Sequence, residues 1–149
     1  MNPNDTPSNG GTGAALVPLY VSGVFREAPA WFRAQLIECL MKPMGALGLV
    51  AVANGVFAAL RQRHGWQQLQ VTLEDTSRIT GEQVLELSSY LQQTAPEVFQ
   101  RVGELVSRQP ALTGSLSAML LLHVLRRTMR RRVDGAPAAG RVARPLRAA

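Results

Sequence analysis

Met44–Leu60, MGALGLVAVANGVFAAL, decides how the rest of the chain is read, because it is apolar on every face of a helix and Asn54 is its only polar side chain. Such a segment must be buried in a protein core, against a partner chain, or in lipid. At 17 residues it lies at the bottom of the ~17–25 needed to span a bilayer. Ala51, Gly55 and Ala59 recur every fourth residue, a ridge of small side chains that lets another helix approach closely in either medium. These three residues are the candidate helix-packing interface. A second apolar stretch, Ala111–Leu125, contains Thr113, Ser115, Ser117 and His123, which makes it too polar for a span. Both stretches are followed by arginines, so two antiparallel spans would break the positive-inside preference at one of them. A buried central helix is the expectation.

Working outward, Pro29 followed by Ala30–Met41 predicts an amphipathic helix whose apolar stripe is Trp31, Phe32, Leu36, Ile37 and Leu40. Lys42-Pro43 breaks it, and Pro43 can open the next helix. After Arg61–Trp66, with Gly65 available as a left-handed cap and His64 beside it, Leu69, Val71 and Leu73 alternate with Gln70, Thr72 and Glu74. That is the pattern of a half-buried strand, and Val17–Val21 is its only candidate partner. Thr80-Gly81-Glu82-Gln83 and Thr94-Ala95-Pro96-Glu97 both have capping-box spacing, each opening a helix. Pro110 restarts the chain into a last helix with Leu112, Leu116, Met119, Leu120 and Val124 at helical spacing. The predicted fold is mainly α: a single compact helical bundle of about five helices over residues 16–132, with a minor two-stranded β element. A disordered N-terminal segment, 1–15, precedes it and a flexible basic tail, 133–149, follows. No internal repeat is visible.

The chain has 149 residues and a net charge of +6, and the charge is unevenly placed. Residues 1–60 balance, residues 61–109 carry five Arg and six acids, and residues 110–149 carry eight Arg against Asp134 alone. The run Arg126, Arg127, Arg130, Arg131, Arg132 exceeds what complementing a helix dipole requires, and reads as an anionic docking element for phosphates or acidic headgroups. A single cysteine, Cys39, excludes a disulfide framework and a Cys-rich zinc site and suits a reducing, cytoplasmic compartment. With Lys42 its only basic neighbour, Cys39 reads as a buried, inert thiol. His64 and His123 have no acidic residue at triad or ligand spacing, His64 reading as a helix cap and His123 as part of a packed interface. No phosphate-binding glycine loop is present. The expectation is a protein without enzymatic activity, cofactor, metal or small-molecule substrate.

Residues 86–102, ELSSYLQQTAPEVFQRV, resemble the helix-turn-helix of bacterial regulators, with Leu87, Ser88 and Leu91 in the first helix, Thr94 capping the second, and Val98 and Val102 facing the core. The turn departs from that pattern at Gln92 and Gln93. The resemblance implies a second helix in the DNA major groove, presenting Glu97, Gln100 and Arg101 as reading residues. Two capped helices in a bundle account for the same letters. The leading functional expectation is a helical protein–protein interaction or scaffold module, a homo-oligomer or bound to a protein partner, with the Arg-rich C-terminus docking an anion. DNA binding through residues 86–102 and peripheral association with an anionic membrane surface are the alternatives.

Overall fold

Pro18, in a first helical turn where its missing N–H is harmless, opens α1 (Val17–Glu27), whose Val17, Val21, Val24 and Phe25 are buried. The structure, a computed structural model, describes residues 13–65 and 69–135, and the side chains of His64 and of residues 131–135 fall outside that description. Pro29, extended at φ −67° and ψ 159°, precedes α2 (Ala30–Met41), and its carbonyl accepts the amides of Phe32 and Arg33 at 3.0 Å each. Phe32, Leu36, Ile37 and Leu40 are fully buried, as their spacing predicts. Trp31 is not part of that face: it is exposed, its ring edge-on to Phe32.

The Met44–Leu60 segment is not one helix. Lys42-Pro43 forms a turn, and Pro43 does not open the next element; α3 (Ala46–Ala51) starts after Gly45, Val52 is extended, a 3-10 turn covers Ala53–Gly55, and α4 is Val56–His64. Ala53, Asn54 and Gly55 all have positive φ, 51°, 55° and 77°. Asn and Gly tolerate that region, which a continuous right-handed helix never visits. Leu49, Val52, Phe57 and Leu60 are buried, whereas Leu47 is 89% and Val50 61% exposed. Gly65 ends α4 at φ 82° and ψ 159°, a positive φ but not the left-handed helical cap expected of it.

The two-stranded element does not form. Val17–Val21 is helical, and the extended residues from Leu69 lead into α5 (Leu73–Ser77). The amide of Val71, which a partner strand would have taken, donates instead to Glu38 Oε1 of α2 at 2.7 Å. Thr72 then caps α5 reciprocally with Asp75, its amide donating to Asp75 Oδ2 at 2.9 Å while Asp75 N–H donates to Thr72 Oγ1 at 3.2 Å. That Thr-x-x-Asp box is legible in the letters, but the alternation before it points to a strand.

α6 (Gly81–Thr94) opens on the expected box between Thr80 and Gln83. The second box is absent, because α6 runs on through Thr94, whose hydroxyl donates to Tyr90 O within the same helix at 3.0 Å. α7 (Val98–Ser107) therefore starts beyond Glu97 without a side-chain cap. A 3-10 turn, Pro110–Leu112, leads to α8 (Leu116–Gly135). The described chain is thus mainly helical, with more and shorter helices than the five expected and no strand among the described residues. Of the predicted end segments, residues 1–12 and 136–149 lie outside the described residues, while 13–15 are helical and α8 extends to Gly135.

Two helices organise the core. α2 is surrounded by α5, α6 and α7, and α1 lies between α6 and α8. Ser22 Oγ donates to Gly81 O at 2.7 Å, tying α1 to the start of α6. On the α8 side the backbones meet at Gly23, where an added Cβ would lie 2.2 Å from Ser117 Oγ and 2.8 Å from Ser117 Cβ. Gly23→Ala is expected to destabilise the chain by about 1–3 kcal/mol through that overlap. A urea-unfolding double-mutant cycle with Ser117→Gly checks it: the alanine should cost markedly less when Ser117 is glycine, and an unchanged cost would show that the helices do not meet there.

Candidate functional site

α8 carries the arginine run, and its start is pinned to α1. Ser115 Oγ accepts the amide of Ala118 at 3.1 Å and its hydroxyl donates to the carboxylate of Glu27. At ~100° per residue, Ala118 and Leu121 face inward with Leu122, Val124 and Leu125 half-buried beside them. Leu116, Met119, Leu120, His123, Arg127 and Arg130 share the opposite, exposed side, with Leu116 at 64% and Met119 at 60%. The stripe expected to pack inward thus splits: Leu112 is buried and Val124 half-buried, but Leu116, Met119 and Leu120 face solvent. The inward side is the one with Ser117 and Ala118, small enough for the close approach of α1. His123 is exposed rather than packed within the chain. Arg126, Arg127 and Arg130 extend the outward face, and no carboxylate among the described residues pairs with them. Arg131 and Arg132 continue the helical backbone, but their side chains lie outside the described residues.

Ala51, Gly55 and Ala59 do not lie along one helix. Ala51 ends α3 and is exposed, Gly55 sits in the left-handed turn, and Ala59 is exposed on α4. The every-fourth-residue ridge is interrupted by the turn that Gly55 itself completes.

In the helix-turn-helix-like segment, Leu87, Ser88, Leu91, Val98 and Val102 are buried, and Ser88 Oγ has no hydrogen-bond partner among the described residues. Glu97, Gln100 and Arg101 are all exposed. At i, i+3 and i+4 they stand along one side of the start of α7, where Gln100 also lines a hollow with Leu125 and Met129 of α8 and Arg101 lines a groove with residues of α2. The main packing of α7 is on α2 and α8.

Arg101 belongs to a groove of about 540 Å³ between α2, α4 and α7. Glu38 and Cys39 of α2, Lys42 in the turn that follows it, Arg61 of α4, Leu69, and Leu105 of α7 complete most of its wall. The residues come from positions 35 to 105, which is why sequence spacing missed them; helical spacing groups only Gln35, Glu38 and Cys39 on α2 and Arg101 with Leu105 on α7. Cys39 is half-buried, and its thiol pKa is raised, first by burial, with Arg101 and then Lys42 acting in the opposite direction.

No described helix is long and apolar enough to cross a membrane, and no group of three or more His, Cys, Asp or Glu among the described residues could hold a metal. The chain matches no family model, no curated protein and no solved structure.

Because Arg101 favours the thiolate of Cys39, removing it raises the pKa further and leaves less of the reactive form at any pH below it. Arg101→Ala should therefore slow alkylation of Cys39 by iodoacetamide at pH 8 and shift the pH–rate profile to higher pH. An unchanged profile would show that the guanidinium does not reach the thiol.

Proposed function

We propose that the chain is a non-enzymatic helical interaction module that joins a second copy of itself through the outward face of α8, and that the arginines continuing this face dock a polyanion. The observation that carries the reading is the composition of that one face. Leu116, Met119 and Leu120 are exposed in line with Arg127 and Arg130, on a helix whose other side is already packed on α1 and α7. A row of apolar side chains in water is an unfilled contact. In an antiparallel pair of α8 helices the apolar halves meet their own counterparts, as a two-fold interface requires, while the arginines point to opposite ends. A parallel pair would set Arg127 against Arg127. Leu47 and Val50 on α3 supply a second exposed apolar spot for a larger contact.

The same face favours a protein over DNA as the surface met, since duplex phosphates match the arginines and leave Leu116 and Met119 with nothing apolar to cover them. Peripheral binding to an anionic membrane is the second reading, because apolar residues beside arginines also fit the headgroup boundary.

Sedimentation equilibrium in the absence of detergent tests the reading. Wild type should show a reversible dimer at micromolar concentration, and Met119→Asp with Leu120→Asp should return it to monomer with unchanged helix content. Truncation after Leu125 should keep the dimer and lose salt-sensitive retention on heparin, since it removes all eight basic residues of the last segment. A monomer at every concentration would overturn self-association. Undiminished heparin retention after truncation would overturn the docking role of Arg126 through Arg132.

A further inference from the structure

The groove between α2, α4 and α7 has a chemistry that the α8 face does not explain. Its wall carries three cations, Lys42, Arg61 and Arg101, and one carboxylate, Glu38. Glu38 is held in place, its Oε1 accepting the Val71 amide at 2.7 Å, and its one negative charge is outnumbered. Lys42 and Arg101 have no carboxylate within ion-pair distance among the described residues, although the turn after α2 and helix α7 bring them to the same space. Cations that share a space with a single carboxylate, and pair with no carboxylate, leave a surplus of positive charge there that an anionic ligand relieves. Leu69 and Leu105 give the same groove an apolar wall. A volume of about 540 Å³ is in the range that holds a small organic molecule.

We infer that this groove binds a small phosphate monoester, its phosphate between Lys42 and Arg101 and its organic body against Leu69 and Leu105. The surplus of cations selects the class: a phosphate monoester carries about −1.5 to −2 at neutral pH, where a simple carboxylate carries a single charge. Arginine's planar fork of donors matches phosphate oxygens, and a lysine ammonium adds a compact point charge. The site is independent of self-association through α8, which lies on other residues.

Phenyl phosphate is a suitable probe, with inorganic phosphate testing the headgroup alone and benzoate the apolar body with one charge. Isothermal titration into the full chain measures binding, and iodoacetamide alkylation of Cys39, the only cysteine, reports locally on the groove. Phenyl phosphate should bind and slow Cys39 alkylation, with inorganic phosphate and benzoate each about tenfold weaker, a difference of about 1.4 kcal/mol. Lys42→Met and Arg101→Met should each weaken phenyl phosphate about fivefold or more, whereas Arg108→Met, an exposed arginine outside the groove wall, should not. Thermal unfolding of each variant separates loss of binding from loss of fold. The inference is overturned if phenyl phosphate does not bind, or binds without protecting Cys39. It is also overturned if benzoate binds as well, or if the two groove variants bind as tightly as wild type.

Discussion

Ala53, Asn54 and Gly55 hold φ values of 51°, 55° and 77°, and this left-handed turn governs what the apolar segment around it becomes. For an alanine that conformation costs about 1–2 kcal/mol, so it persists only where the surroundings require it. Here Ala53 and Val52 are buried, Leu49 and Phe57 are fully buried on either side, and Gly55 N–H closes the turn on Val52 O at 2.9 Å. The turn folds Met44–Leu60 back on itself as α3 and α4. One side of each is buried, while Leu47 and Val50 stay outside. A rod of apolar side chains long enough to seek lipid is thereby replaced by two short helices that belong to a protein core.

The direction of α4 after the turn also builds the charged side of the molecule. Arg63 reaches the buried Asp75 at 3.5 Å, and Asp75 in turn caps α5 through Thr72. Arg61, two residues earlier, lines the groove together with Lys42 and Arg101. The Glu38–Val71 hydrogen bond closes the same region from α2. Groove, α5 cap and core reversal therefore form one connected arrangement. The face of α8 is separate from it, set by the close contact of Gly23 with Ser117 that decides which side of α8 turns inward.

Local chemistry was legible where it is decided locally. The Thr80–Gln83 box, the Pro29 start of α2 and the buried row Phe32, Leu36, Ile37, Leu40 follow from neighbouring letters. Other features were not. The alternation holds only from Leu69 to Val71, Gln70 being exposed and Val71 buried, and fails at the exposed Leu73; the Val71 amide is satisfied by a carboxylate 33 residues away. Asn54-Gly55 is a turn dipeptide by itself, and the apolar residues on either side hide that reading. In α8, two apolar stripes compete for the core, Leu116, Met119, Leu120 against Ala118, Leu121, Leu125, and only packing against α1 selects between them. The groove was the least legible feature, since its walls meet only after the chain has folded.

Backbone chemical shifts of residues 44–64, measured by NMR on the isotope-labelled full chain in detergent-free buffer, address the reversal directly. Helical shifts are expected over Ala46–Ala51 and Val56–His64, interrupted at Val52 and with left-handed values at Ala53, Asn54 and Gly55. Unbroken right-handed helical shifts from Ala46 through Leu60 would contradict the account, returning this segment to a single apolar rod and removing the placement of Arg61 and Arg63 that depends on the turn.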